Sequence, residues 1–474
     1  MLFVKREQIY DKWLVLFGFV SALIVLVAAL YNLDCIILSS VLLCIWIALY
    51  CCRDLKNRST LLCFILAFFT FLVGRQFMDG FGIHKIESQT PEQVNKEAER
   101  IILVSLFFLL IGYVASNFFY SKKNKAQREV GTTEEYHLRR VRGICKVLYI
   151  STYAFMCISI AEIFLYVRDS SYIDYYVSFH TRLPFLVGKL ADMCPVFFFV
   201  YLSTLPSKKE SMKYIITYAV YLLLTLLTGR RYEFVGGLLV LFVYFTSRDR
   251  LQLNHNRWFG KKEIIIVFIA VFFIIVLSSI VGKTRIGAQE NFSDSNIFVN
   301  FFYQQGISIN VLKRTIQYQD YLAKDKLYMF GSIITFIRKL FGFEAYYGNT
   351  IQNAQSGYSL AHSLSYVVLG NEYLNGRGMG SSYLAEVYFS FGYCGIIFVN
   401  FLYGVILNKL SLFNTRSIWK NTLILIMLHS LYLAPRSSFD GFIVDVLRVN
   451  TWSTLIIVYF ISKMLNTKYQ KLQV

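Results

Sequence analysis

Apolar runs long enough to cross a lipid bilayer recur along almost the whole of this sequence. A span needs about 20 apolar residues to cover a hydrocarbon core roughly 30 Å thick. In lipid, every backbone polar group must find its partner within the protein, so such runs become helices. The pattern predicts twelve spans, at 13–30, 35–50, 60–73, 101–120, 147–167, 185–205, 214–228, 234–246, 264–282, 384–407, 422–435 and 449–462. The expected fold is all-α, a polytopic transmembrane helix bundle of about twelve spans. The first run follows Lys5, Arg6 and Lys12 and superficially resembles a signal peptide. It is too long for one, shows no obvious cleavage site and is followed at once by a second span, so it reads as a retained helix.

The charge supports this reading. Only 16% of the 474 residues are charged, yet the net charge is +19. A soluble domain carries about 25% charged residues. Nucleic-acid binders are basic too, but on a solvated face over an ordinary core, and disorder needs low hydrophobicity. No nucleic-acid partner is expected. Alternate connections are basic: Arg53/Lys56/Arg58, Lys122 to Lys146, Lys208/Lys209/Lys213, Arg248 to Lys262, Lys409/Arg416/Lys420, and the tail with Lys463, Lys468 and Lys471. The positive-inside rule puts these on the cytoplasmic side, with both termini. The other side has a connection from Gly74 to Arg100 and one of about 100 residues from Lys283 to Tyr383. A loop that long in a compact protein is usually functional. The expected organisation is a bundle of nine spans over 1–282, a long extracytoplasmic loop with short helices over 283–383, and three spans over 384–474.

Several chemistries lack their residues. Gly282-Lys283-Thr284 resembles the end of a phosphate-binding loop, but Leu277 stands where the pattern needs glycine. No Asp-x-Asp pair occurs. The six histidines never stand at i, i+4, which argues against zinc. None of the nine cysteines falls in the long loop, and no Cys-x-x-Cys occurs. No metal and no cofactor are expected. Chemistry must then come from arginines and carboxylates at the outer face.

Three stretches offer them. Thr228-Gly229-Arg230-Arg231-Tyr232-Glu233 places two arginines in a tight hairpin at the membrane boundary. They either snorkel to head groups or grip an anion, since the guanidinium fork matches phosphate oxygens. Pro435-Arg436-Ser437-Ser438-Phe439-Asp440-Gly441, with Asp445 and Arg448, alternates arginine and aspartate. It is either an ion-pair network or a diphosphate grip in which Asp440 accepts a proton. Gly376-Arg377-Gly378-Met379-Gly380-Ser381-Ser382-Tyr383-Leu384-Ala385-Glu386 runs from alternate glycines into a helix. Glu386 either clamps the helix to Arg377 or serves function, the default for an ionisable residue at membrane depth. Lys189 and Asp192, at i, i+3, read as a structural pair. His362 reads as a satisfied or exposed histidine before a base, and Tyr346, Tyr347 and Tyr383 as candidates to stack on sugars.

The stretch from Gly376 to Gly395, through Ser381-Ser382-Tyr383-Leu384-Ala385-Glu386 and Phe391-Gly392, resembles the oligosaccharide repeat-unit polymerases of the O-antigen polymerase (Wzy) type. The layout of spans, the late outer loop and the Gly-Arg-Arg hairpin are similar too. The resemblance implies a reaction at the outer face of the bacterial inner membrane. A glycan chain on undecaprenyl diphosphate moves to a single repeat unit on the same carrier, giving O-antigen, capsule or exopolysaccharide. The implied partners are undecaprenyl-diphosphate-linked glycans, the bilayer and a chain-length regulator protein. Within that reaction, Arg230, Arg231, Arg377, Arg436 and Arg448 are expected to hold diphosphate. Glu386 or Asp440 is expected to act as base, and Tyr346, Tyr347, His362 and Tyr383 to meet glycan. An O-antigen ligase has a similar outer-loop layout with another acceptor. A lipid-linked oligosaccharide flippase is the third reading, disfavoured because intramembrane charges are few and no internal repeat is visible.

Overall fold

The computed structural model describes residues 36–80, 90–120, 132–170, 179–228, 231–251, 257–260, 297–411 and 417–471, with a few isolated positions besides. Among these residues the fold is all-helical, without strands. The first group of helices is α1 (Ile36–Arg53), α2 (Leu55–Phe68), α3 (Gly74–Gly80), α4 (Glu92–Tyr120), α5 (Thr132–Asp169), α6 (Phe185–Ser203), α7 (Lys208–Leu227) and α8 (Arg231–Leu251). A π-helical turn, Phe69–Val73, joins α2 to α3. Shorter helices follow: α9 (Ile297–Gln305), α10 (Ile309–Gln317), α11 (Gly331–Leu340), α12 (Ile351–Ser356), α13 (Leu360–Leu369) and α14 (Asn371–Leu374). The last group is α15 (Tyr383–Leu410), α16 (Ile418–Leu433), α17 (Gly441–Leu447) and α18 (Val449–Lys471).

Six segments are long and apolar enough to cross a membrane: Ile36–Arg53, Leu55–Asp79, Glu92–Asn117, His137–Asp169, Phe185–Ser203 and Tyr383–Leu410. The pair Gly441–Leu447 and Val449–Leu465, bent by 41°, adds a seventh if it is one span. Twelve were expected. Segments 214–228, 234–246 and 422–435 are helical in α7, α8 and α16 but fall short of that standard. The start of α7 carries Lys208, Lys209, Glu210 and Lys213, the end of α8 carries Arg248, Asp249 and Arg250, and α16 has only 16 residues. The expected span 13–30 and nearly all of 264–282 lie outside the described residues. The connection expected from Gly74 to Arg100 is largely helical instead: the chain stays helical to Gly80 and resumes at Glu92.

Many of the spans turn apolar side chains outward, as hydrocarbon allows and water does not. On α5, Val147 is 66% and Ile150 58% exposed. Inside the bundle, polar side chains bond between helices, a usual adhesive within membranes. Thr60 donates to the Leu407 carbonyl (3.0 Å) and Thr246 to Ser59 Oγ (2.8 Å). Glycines allow the closest crossing, between α4 and α15. A Cβ on Gly112 would lie 2.0 Å from the Phe401 carbonyl oxygen, and one on Gly404 2.1 Å from that of Leu109. Both obstacles are backbone, so a side chain there forces the helices apart. Gly404→Leu is expected to cost on the order of 3 kcal/mol, the upper range for overpacking. Thermal unfolding of the detergent-solubilised protein measures this, and an unchanged midpoint would refute the crossing.

Near its start, α15 is broken at Gly392, whose φ of +55° is not helical. Glu386 therefore rides on a short first piece of the helix, directed by the loop before it. The pairing of Lys189 with Asp192 is not formed. Lys189 lies over the Phe185 ring (5.3 Å), and Asp192 accepts from Asn450 Nδ2 (2.9 Å).

Candidate active site

A cavity of about 630 Å³ opens where the short helices meet the ends of α15, α16 and α17. Its wall includes Ser332, Arg338, Lys339, Tyr346, Tyr347, His362, Ser381, Glu386 and Arg436. These residues span more than a hundred positions of sequence, and a small set of hydrogen bonds holds them in one place.

Glu386 lies in the first turn of α15 and is buried. Its Oε1 accepts from Ser381 Oγ (2.6 Å) and its Oε2 from the Phe439 N–H (2.8 Å). The second bond ties the helix to the turn after α16, one residue before Asp440. A carboxylate oxygen accepts more than one hydrogen bond, so Glu386, which lines the cavity, keeps accepting capacity. It does not clamp to Arg377.

Asp440 is fully buried behind the same wall. Its Oδ2 accepts from the Ile333 N–H (2.7 Å), while Ser332 Oγ and Ser438 Oγ stand 3.1 Å apart. The first N–H groups of a helix lack intrahelical partners, and Asp440 caps those of α11 from another part of the chain. Among the described residues its Oδ1 has no hydrogen-bond partner. Burial raises this carboxyl above its ordinary pKa, against the opposing Ile333 N–H and the Ser332 and Ser438 hydroxyls. A buried acceptor left unmet costs about 1–3 kcal/mol and calls for an explanation of its own.

Positive charge lines the same cavity. Arg436 is exposed, donates through Nη1 to Gln305 Oε1 (2.8 Å) and lies over the Phe71 ring (5.6 Å). The π-helical turn that presents Phe71 is a device frequent at functional sites. Arg338 and Lys339, in the last turn of α11, were not singled out in the sequence. Arg338 Nε donates to the Glu344 carbonyl (3.0 Å), and Lys339 lies over the Tyr347 ring (5.6 Å). The signal is a basic pair, Arg338-Lys339, between apolar neighbours in Phe336-Ile337-Arg338-Lys339-Leu340. Arg75 stands off the cavity wall. It is buried and donates to the Tyr303 hydroxyl (2.6 Å).

His362 faces the cavity through a defined network. Tyr373 donates its hydroxyl to the Thr350 carbonyl (3.3 Å), and His362 Nδ1 lies 2.9 Å from that hydroxyl. The direction of the imidazole–hydroxyl bond follows the histidine tautomer. Burial lowers the imidazole below its ordinary pKa. Tyr346 donates to Glu344 Oε2 (2.9 Å).

Other expected site residues stand elsewhere. Tyr383 is fully buried, donates to Asn400 Oδ1 (2.7 Å) and packs on Tyr403, so it does not reach the cavity. Arg377 is exposed, off the cavity wall, and paired to Glu372 (2.9 Å). Arg448 lies across α17, in a second cavity of about 300 Å³ with Asp192, Glu233 and His429, and pairs with Asp445 (2.9 Å). Arg230 is outside the described residues. Arg231 begins α8, and its side chain is also outside them. Among the described residues, no group of three or more His, Cys, Asp or Glu side chains could hold a metal ion.

The apolar helices define an integral membrane protein, and its cavity carries both cations and carboxylates on its wall. The family model for O-antigen polysaccharide polymerase Wzy matches residues 12–469, nearly the whole chain. The chain belongs to that family. No curated protein and no solved structure matches it.

Proposed function

We propose that this protein is a polysaccharide polymerase that joins undecaprenyl-diphosphate-linked repeat units at the outer face of the bacterial inner membrane. In this reading 283–383 is the extracytoplasmic loop between the bundles 1–282 and 384–474, and both termini are cytoplasmic. The observation that carries it is the single cavity in which Arg338, Lys339 and Arg436 share a wall with buried Glu386, in a chain of the O-antigen polymerase family.

The chemistry follows from that arrangement. An acceptor sugar hydroxyl attacks the anomeric carbon of the donor glycan. The new glycosidic bond forms as the bond from that carbon to the diphosphate oxygen breaks, and undecaprenyl diphosphate leaves with the bonding electrons. Negative charge grows on the leaving oxygen, where preorganised cations stabilise the transition state most. Arg436 and Arg338 serve this role with bidentate forks and Lys339 as a point charge. The hydroxyl proton passes to Glu386, within a general-base contribution of about 10²–10⁴-fold. Asp440 and the Ser332–Ser438 contact hold the α11 wall in register. Tyr346, Tyr347 and His362 contact sugar faces and hydroxyls. Holding both amphiphiles side by side in one cleft supplies the orientation term.

Deleting the gene and separating the surface glycans by size tests the reaction class. Lipid carrying one repeat, with the ladder restored by the wild-type gene, is the expected result. Absence of any repeat at the surface would point to a flippase or a ligase instead. A chain-length regulator is the proposed partner that sets the modal length of the ladder.

A further inference from the structure

The end of α11 holds four large apolar side chains in the open. Ile337 is 45%, Leu340 62%, Phe341 70% and Phe343 62% exposed. They are not on a slack loop. The Phe343 N–H donates to the Arg338 carbonyl (2.8 Å) and the Gly342 N–H to that of Lys339 (3.3 Å). Gly342, at φ +73°, makes the left-handed turn this helix-ending motif requires. The Arg338 guanidinium then lies over the Phe343 ring (5.9 Å). The apolar tip is thus built into a fixed turn.

A contiguous exposed apolar patch on a protein marks a surface with a partner. Leu42 and Leu49 on α1 are similarly exposed, but they stand on a span that hydrocarbon covers. The tip also carries its own selection of partner. Arg338 and Lys339 stand beside the bulky apolar residues, the combination by which a helix lies in a bilayer interface. Cations at that depth complement lipid phosphates. Through Ser332 and Ser438 the start of α11 is fastened to the turn before α17, and α17 leads into apolar α18. The element therefore begins where the bundle ends.

We infer that Ile337, Leu340, Phe341 and Phe343 insert into the leaflet at the cavity end, with Arg338 and Lys339 at the level of the lipid phosphates. This surface does not depend on the polymerase reading. It has a consequence for it: the wall that α11 gives the cavity sits at head-group depth, so a lipid-borne diphosphate reaches the cavity with its tail still in the membrane.

The test uses the full chain in vesicles of phosphatidylcholine and phosphatidylglycerol. Phe341→Trp and, separately, Phe343→Trp are compared with wild type, whose five tryptophans supply the background. The added emission is expected at short wavelength. Brominated acyl chains should quench most of it, and aqueous iodide should leave it unchanged. Quenching by iodide without quenching by bromine would place the tip in water and overturn the inference. Protection from both would mean that a second copy or another protein covers it, and would overturn the inference equally.

Discussion

Arg436→Ala is expected to abolish long-chain polysaccharide while the protein still inserts at normal level. Loss of one preorganised donor to a developing oxyanion lowers rates about 10²–10³-fold. Arg436 is the arginine whose position most resembles such a donor. It faces the cavity, its Nη1 is steadied by Gln305 and its guanidinium rests on Phe71, so its orientation is set before a ligand arrives. Arg338→Ala is expected to act in the same direction. Arg436→Lys should recover only part of the activity, because an ammonium lacks the planar fork. Arg377→Ala is the contrasting variant. Its guanidinium is already paired with Glu372 on the exposed side of the glycine-rich loop, and its ladder should stay close to wild type. Glycan ladders from a complemented deletion strain measure all four. A full ladder from Arg436→Ala, or a lost one from Arg377→Ala alone, would move the diphosphate away from this cavity.

The contrast between these two arginines shows what the sequence makes legible. Both stand in glycine- or serine-rich, turn-forming stretches, and both look equally available to an anion. What separates them is tertiary. Arg377 meets a carboxylate five residues back, whereas Arg436 meets a glutamine 131 residues away. Tyr383 fails in the same way: it looks like a sugar platform until Asn400, nearly five helical turns on, takes its hydroxyl in the core. Glu386 was identifiable because a lone carboxylate in an apolar run is costly wherever it sits. Its bond to the Phe439 N–H joins two stretches that the sequence presents only as separate motifs. Arg338 and Lys339 were hidden because apolar neighbours dominate the reading of α11. Among the described residues the apolar runs were legible as helices, since such runs in lipid have little alternative, whereas the helical ends of the Gly74–Arg100 connection were not. Among the described residues six segments, or seven with the bent pair, reach the threshold for a span, because charged ends and a short length leave α7, α8 and α16 below it.

Glu386→Gln is expected to remove polymerisation with little change in protein level, and Asp440→Asn to retain much of it. The two carboxylates are neighbours through the Phe439 peptide but are used differently. Glu386 lines the cavity, and glutamine can still accept from Ser381 or the Phe439 N–H through its carbonyl oxygen. What glutamine loses is basicity, so the loss falls on proton transfer, about 10²–10⁴-fold. Asp440 Oδ2 accepts from the Ile333 N–H, a bond that an asparagine carbonyl reproduces. The asparagine amide then occupies the side where Oδ1 has no partner. Asp440→Ala removes the cap altogether. It should cost about 0.5–2 kcal/mol, the range for losing a helix cap, and should lower both thermal stability and polymer yield. Comparing ladder intensity with the melting midpoint separates the roles. Chemistry is at stake if yield falls while the midpoint holds, and architecture if the two fall together. Asp440→Asn without polymer but with a normal midpoint, alongside an active Glu386→Gln, would transfer the base to Asp440. Wild-type yield from both would leave the hydroxyl proton to another acceptor, for which His362, on the cavity wall with its pKa lowered by burial, is the candidate.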